Sequence, residues 1–221
     1  MRLLDLFCCE GGAGMGYALA GFDVTGVDLE QRDAYPFTFH RSDALAYLAA
    51  NPDGWDAIHA SPPCQAHTTM SNRWRGTGGR ADEHVDLIPA VREALRAAGV
   101  PYVIENVPGA RAQLVNPVTL SGGMFGLGVD RPRLFESNVL IMPPPKKRAV
   151  NPVGVYGEKA DGRRLWTRAD GTHQRAAASL EEAREAMGMP WASWRGCAEA
   201  IPPAYTRYIG EQILEHLAVT S

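Results

Sequence analysis

The sequence predicts an alternating α/β fold, a mostly parallel sheet with helices on both faces, and three observations carry that prediction. Short apolar runs of strand length end in acidic residues: "RLLDLF" at the start, the stretch from Asp23 to Val27 that leads into Asp28 and Glu30, and "VPYVIENV" with Glu105 and Asn106. A glycine-rich turn, "EGGAGMG", joins the first run to a helix-like segment. Between later runs, residues 83–98 have helical apolar spacing despite Pro89 and stop at Gly99.

In chain order, the strand through "RLLDLF" is followed by the glycine turn, a helix and the strand from Asp23. A further unit turns at Asp43 and reaches the strand "WDAIHAS", which delivers Pro62, Pro63 and Cys64. Two consecutive prolines fix φ and remove two amide donors, so Cys64 sits on a stiff loop rather than in a helix or central strand. After the helix over 83–98 and the strand "VPYVIENV", the runs "TLSGGMFGL" and "RLFESNVLI" read as a hairpin joined by "GVDRP". From Pro143 to about Ser179 the pattern gives way to turn-rich, basic sequence. This reads as an irregular insertion, 137–178, within one domain spanning 1–221. "SLEEAREAMG" begins as a helix capped by Ser179, and a last helix runs from about Pro203 to Leu217.

With 221 residues, 45% hydrophobic and 21% charged, the chain has the composition of one buried core and not of a disordered segment. No apolar run approaches the roughly 18 residues that span a bilayer, and the N-terminus lacks a signal-peptide layout, so a cytoplasmic protein is expected. Cys8, Cys9, Cys64 and Cys197 show neither Cys-x-x-Cys spacing nor a Cys/His cluster, so free thiols and no metal are expected. The net charge of −3 gives no general affinity for nucleic acid, yet residues 146–175 hold eight basic against three acidic residues. Such a run serves either as a solvated face or as a phosphate-contacting surface.

Ligands of α/β folds bind at the carboxyl ends of parallel strands. The glycine turn here is not G-x-G-x-x-G, because Tyr17 stands in the last place, and no G-x-x-x-x-G-K-[ST] occurs. A glycine turn followed by a carboxylate suits a cofactor with ribose hydroxyls and no pyrophosphate. Asp28 is placed to accept from both hydroxyls and Asp43 from an exocyclic amine, a description that S-adenosylmethionine fits better than NAD.

Six motifs stand in order along the chain: "DLFCCEGG", "GVDLE", "SPPCQ", "IENV", "DRPRLFES" and "EAIPPAYTRYIG". Together they resemble the DNA (cytosine-5)-methyltransferase family, in a compact bacterial or phage type with a much reduced target-recognition region, and they leave only residues 140–178 uncovered. The resemblance implies a Rossmann-like S-adenosylmethionine-dependent methyltransferase fold and methyl transfer to carbon 5 of a flipped cytosine in DNA. It implies Cys64 as the nucleophile that adds to carbon 6, Glu105 as the catalytic glutamate, and Arg131 and Arg133 as the pair gripping the target base and its phosphate. On the cofactor side it implies that Phe7 stacks on the adenine, that Gly11 and Gly12 admit the amino-acid end, that Asp28 holds the ribose and that Asp43 meets the adenine amine. The resemblance also implies that Cys9, Leu29, Pro62 and Glu199 belong to that pocket and that Gly210 and the "IPP" segment close it.

Three positions depart from the family's pattern. Cys9 replaces a glycine, so the turn there must tolerate a side chain. Val129 stands where glutamine is usual, and Glu199 where asparagine is usual. The insertion is short, so its basic residues must do the DNA contacting: Lys146, Lys147, Arg148, Arg163 and Arg164. Gln65, Arg73, Arg75 and Arg80 join them from the loop after Cys64, mostly through backbone contacts, with Trp74 and Trp166 as candidates for stacking. The expected protein is a monomer acting on DNA, with no membrane or metal partner, in a restriction-linked, protective or regulatory role. The alternatives are the same covalent chemistry on single-stranded DNA, RNA or a modified pyrimidine, and a non-catalytic DNA-binding relative.

Overall fold

The strands are β1 (Arg2–Leu6), β2 (Asp23–Asp28), β3 (Thr38–Arg41), β4 (Ala57–Ala60), β5 (Tyr102–Asn106), β6 (Val118–Leu120), β7 (Arg133–Ser137), β8 (Leu165–Thr167) and β9 (His173–Arg175). The helices are α1 (Gly12–Ala20), α2 (Ala44–Ala50), α3 (Ile88–Ala98), α4 (Leu180–Met187), α5 (Trp194–Glu199) and α6 (Pro203–Thr220). They come from a computed structural model that describes residues 1–63, 86–157, 159–162, 165–167 and 173–220, with the backbone alone at 165–167 and 173.

The main sheet has the order β3-β2-β1-β4-β5-β7-β6. β3, β2, β1, β4 and β5 pair in parallel, while β7 runs antiparallel to β5 and to β6. The chain progresses outward from β1 on one side and then returns to pair β4 on the other, so the strand order reverses between β1 and β4. That reversal opens a crevice at the strands' carboxyl ends, where such folds bind ligands.

Strands buried on both faces explain the near-continuous apolar runs of β1, β4 and β5. On one face, Leu4, Leu6, Ile58 and Ile104 pack against Leu48 of α2 and against Val91 and Leu95 of α3. On the other, Leu3, Ala57 and Val103 pack against Tyr17 of α1 and against Tyr205, Ile209 and Ile213 of α6. Helices α1 and α6 approach closely at Gly16, where a Cβ would fall 2.0 Å from Thr206 Oγ1 and 2.2 Å from Pro203 O. Thr206 also hydrogen-bonds Ala13 O at 2.9 Å. Any larger residue at position 16 would push the helices apart.

The predicted mostly parallel sheet with helices on both faces is observed. The predicted hairpin is also present, but its first strand is only Val118–Leu120; a 3₁₀ turn over Gly122–Phe125 follows, because the glycines there let residues 147–149 pack against Gly123. The helix placed over 83–98 is described from Ile88, and residues 83–85 lie outside the described part. Within 137–178, the expected irregularity is interrupted by the ribbon of β8 and β9. Val153 and Val155 from the same segment enter a separate cluster with Val129, Met187 and Cys197. Ser179 caps α4 as expected, accepting from Glu182 N. Among the described residues, no helix is long and apolar enough to cross a membrane.

Candidate active site

A cleft of about 590 Å³ lies at the carboxyl ends of β1, β2, β4 and β5 and reaches the start of β7. Its volume is in the range that encloses a small cofactor or substrate. Of the expected cofactor residues, Phe7, Cys9, Gly12, Asp28, Leu29, Asp43, Pro62 and Glu199 all line it, as do Glu105 and Arg133.

The half nearest α1 is shaped by an unusual turn. Phe7 and Cys9 sit at φ 60° and 46°, in the left-handed region that side chains rarely adopt, and Gly11 follows at 81°. Cys9 therefore tolerates the glycine-like backbone demanded by the motif, and its amide donates to Asp28 Oδ2 at 2.9 Å. Asp28 Oδ1 accepts from Glu30 N, also at 2.9 Å, so each oxygen keeps a lone pair for a ligand hydroxyl. Asp43 is the N-cap of α2, accepting from Ala46 N at 2.8 Å. Gly12 is needed for close packing, since a Cβ there would fall 2.4 Å from Ile201 O, whereas Gly11 packs on Tyr35 and Pro36 and is not part of the lining.

Asp5, beneath this turn, is fully buried and also lines the cleft. Burial pushes its carboxyl up to about 7, against the hydrogen bond from Tyr35 Oη at 3.3 Å, and its Oδ1 has no hydrogen-bond partner. Burial also pushes the Cys9 thiol up to about 12 and Cys8 higher still, so neither is a nucleophile at neutral pH. An ionic rim closes the outer edge. Arg32 lies 3.3 Å from Asp28, 3.4 Å from Glu30 and 3.7 Å from Glu199, and Arg195 lies 3.2 Å from Glu30 and 2.8 Å from Glu199.

The other half is built around Glu105 near the end of β5. Its Oε1 lies 3.0 Å from Arg133 Nε, outside hydrogen-bond alignment, and Ser61 lines the same cleft. Burial raises the Glu105 pKa, and Arg133, Ser61 and Arg131 oppose the rise. Asn106 Nδ2 donates to Pro62 O at 3.1 Å, anchoring the root of the proline loop. Pro62 and Pro63 both face the cleft. Cys64 follows them in sequence and lies outside the described residues, together with Gln65, Arg73, Trp74, Arg75, Arg80, Arg163, Arg164 and the side chain of Trp166.

Two expected placements differ. Arg131 was expected to grip the target, but its guanidinium is buried and donates to Ala200 O at 2.7 Å, Val155 O at 3.0 Å and Ala198 O. The ring of Tyr156 covers it at 5.6 Å. With its donors taken up by three carbonyls, Arg131 clamps the insertion and the 198–200 segment onto the sheet. Gly210 does not close the cleft; it lets α6 approach Ala20 and Tyr17 of α1. Lys146, Lys147 and Arg148 are exposed, on the segment that packs against Gly123. Sequence reasoning missed Asp5, Ser61, Arg32 and Arg195. Of these, Asp5 within "DLF" and Ser61 before the prolines were visible inside motifs, and Arg32 stood four residues after Asp28 in the loop that follows β2.

The sheet order and the cleft make a Rossmann-like α/β fold, one shared with methyltransferases of known structure. Part of the chain is 27% identical to the type II methyltransferase M.AgeI of Thalassovita gelatinovora, over 61% of this chain, and the chain spans 38% of that relative's length. In fold it is similar to a protein assigned as a DNA modification methyltransferase within an E. coli prophage (TM-score 0.63, 14% identity, 99% of both chains). It is similar also to the Dnmt2 methyltransferase of S. pombe (TM-score 0.58, 13% identity, 98% of this chain and 99% of that one). No family model matches the chain.

The residues present fit the methyl donor S-adenosylmethionine. Asp28 offers two oxygens to ribose hydroxyls, Phe7 offers an aromatic face, Asp43 an acceptor at the end of α2, and the unpartnered Asp5 Oδ1 a further acceptor in the wall.

Proposed function

We propose that the chain is a DNA (cytosine-5)-methyltransferase that uses S-adenosylmethionine, with Cys64 as covalent nucleophile. The observation that carries this reading is the buried Glu105 and Arg133 pair, facing the same cleft as the cofactor residues and as Pro62 and Pro63, which lead directly to Cys64. M.AgeI and the prophage protein support the choice of DNA methylation.

Carbon 5 of cytosine is too weak a nucleophile to take a methyl group unaided. The Cys64 thiolate forms a bond to carbon 6, and the electron pair of the 5,6 double bond moves into the ring as Glu105 gives a proton to ring nitrogen 3. The resulting enamine is nucleophilic at carbon 5. Bound in the cleft, S-adenosylmethionine supplies an electrophilic methyl group. A base then removes the carbon-5 proton, the carbon–sulfur bond breaks as the double bond reforms, and nitrogen 3 returns its proton to Glu105. The sum is one methyl gained and one proton released. Arg133 pairs with Glu105 and gives the cleft a positive charge of the kind that favours a cysteine thiolate. The base must leave its stack to reach this point, at a cost of a few kcal/mol.

Cys64→Ala should abolish transfer of labelled methyl to DNA, with the thermal melt unchanged. Nucleoside mass analysis of DNA treated with the unsubstituted enzyme should show 5-methylcytosine. Methyl transfer by the alanine variant would overturn the covalent mechanism, and methylation on adenine or on a cytosine amino group would overturn the reaction assigned.

A further inference from the structure

Two arginines stand on the rim of the cleft, and their hydrogen bonding is the reverse of what their burial calls for. The Arg195 side chain is 61% exposed, and its Nε donates to Glu199 Oε1 at 2.8 Å. The Arg32 side chain is only 11% exposed, yet its contacts with Asp28, Glu30 and Glu199 are 3.3, 3.4 and 3.7 Å. A formed charge-assisted hydrogen bond is shorter, roughly 2.7–2.9 Å. Arg32 Nε is buried and has no hydrogen-bond partner among the described residues. A buried donor in that state is costly and uncommon, and an acceptor brought by a ligand would satisfy it.

The backbone holds Arg32 in place. Its carbonyl accepts from Tyr35 N at 3.0 Å, and the Tyr35 ring is buried beside Gly11 and Gly26. The guanidinium therefore stays in the wall of the cleft, beside Asp28 Oδ1 at the end of β2. Each Asp28 oxygen already accepts one amide and keeps a lone pair. A hydroxyl seated on Oδ1 gives up its proton there and presents two lone pairs of its own.

We propose that Arg32 is the second half of the ribose subsite: its guanidinium donates to the hydroxyl oxygen whose proton goes to Asp28 Oδ1. The pocket then recognises that hydroxyl as donor and acceptor at once, where Asp28 alone would require only a donor. This inference rests on the S-adenosylmethionine reading above.

The probe is S-adenosylhomocysteine, which keeps the donor's ribose and lacks its methyl group, together with its 2′-deoxy and 3′-deoxy forms. By calorimetry, Arg32→Met should weaken binding of the full probe about tenfold. With the deoxy form that lacks the hydroxyl on Oδ1, the same substitution should cost less than about twofold; with the other deoxy form it should again cost about tenfold. Equal losses for all three compounds would make Arg32 a source of charge alone and overturn the proposal. The unsubstituted protein gives a second reading. In nitrogen-15 spectra the Arg32 side-chain N–H signals should move on adding the full probe, and far less on adding the deoxy form that shows no loss by calorimetry. Signals that move equally with all three compounds, or with none, would also overturn it. Should S-adenosylhomocysteine not bind the unsubstituted protein, the cofactor reading fails and the subsite with it; binding without this coupling removes Arg32 alone.

Discussion

Arg133, the first residue of β7, extends into the cleft and pairs with Glu105 at 3.0 Å, whereas Arg131, two residues earlier, is buried against the carbonyls of Val155, Ala198 and Ala200. The first belongs to a site assembled from the ends of several strands. The second belongs to the attachment of the 137–178 segment and the chain before α6. An arginine whose partner is a titratable carboxylate in a cleft can exchange that partner for a substrate. One whose donors are taken up by backbone carbonyls cannot, because each carbonyl would be left buried without a donor. The region of chemistry and the region of attachment thus use the same side chain for opposite purposes.

The contrast is broken most directly by substituting each arginine. Arg131→Leu should cost about 3–5 kcal/mol of stability, the usual penalty for removing one partner of a buried charged network. Arg133→Gln should cost under about 2 kcal/mol, since Glu105 can take up a proton, yet should slow methyl transfer roughly hundredfold or more. Equal losses of melting temperature in the two variants would erase the distinction.

Next in size is a pH effect confined to the cleft. The Asp5 carboxyl titrates near 7 in the fold and near 3.8 when unfolded, so rising pH ionises the unfolded chain first and stability falls across that window. Between pH 5 and pH 8 the loss should be about 3 kcal/mol. Asp5→Asn removes it, so urea unfolding of the variant should show a flatter pH dependence; a slope equal to that of the unsubstituted protein would contradict the assignment. In the other region, Lys146, Lys147 and Arg148 changed together to alanine should weaken DNA binding and lower the slope of log affinity against log salt by about 2 to 3. An unchanged slope would remove this segment from the DNA interface. The smallest effect belongs to the cap behind the insertion: Ser179→Ala should cost about 1 kcal/mol, read from thermal melts.

Much of the fold was legible because its strands are buried on both faces and end in acids, and its helices have caps written in the sequence, Ser179 and Gly99 among them. β3, the short α2 and α5 were not legible. β3 lies at the sheet edge with a half-exposed polar composition, and the two helices are too brief for periodicity to stand out. In the site, Phe7, Asp28, Asp43, Glu105 and Arg133 could be placed because motif order brings strand ends together. Arg131 could not be told from Arg133, because the backbone at Arg131, at φ 32°, turns its side chain away from the cleft, and spacing alone carries no sign of that turn. His59, a polar residue in the apolar strand β4, meets Tyr17 and Ser61 only through the approach of α1 and the end of its own strand, which spacing does not show.

The contact between Gly16 in α1 and Thr206 in α6 has a consequence for how the protein is made. These partners stand 190 positions apart in the chain, so on the ribosome α1 emerges long before the helix that covers it. The glycine turn and Asp5 are braced from that side, and Ile201 reaches the cleft only with the same late segment. The cleft should therefore be incomplete in nascent chains until α6 has emerged, giving slow, long-range folding in which the pocket closes only once that helix packs on α1.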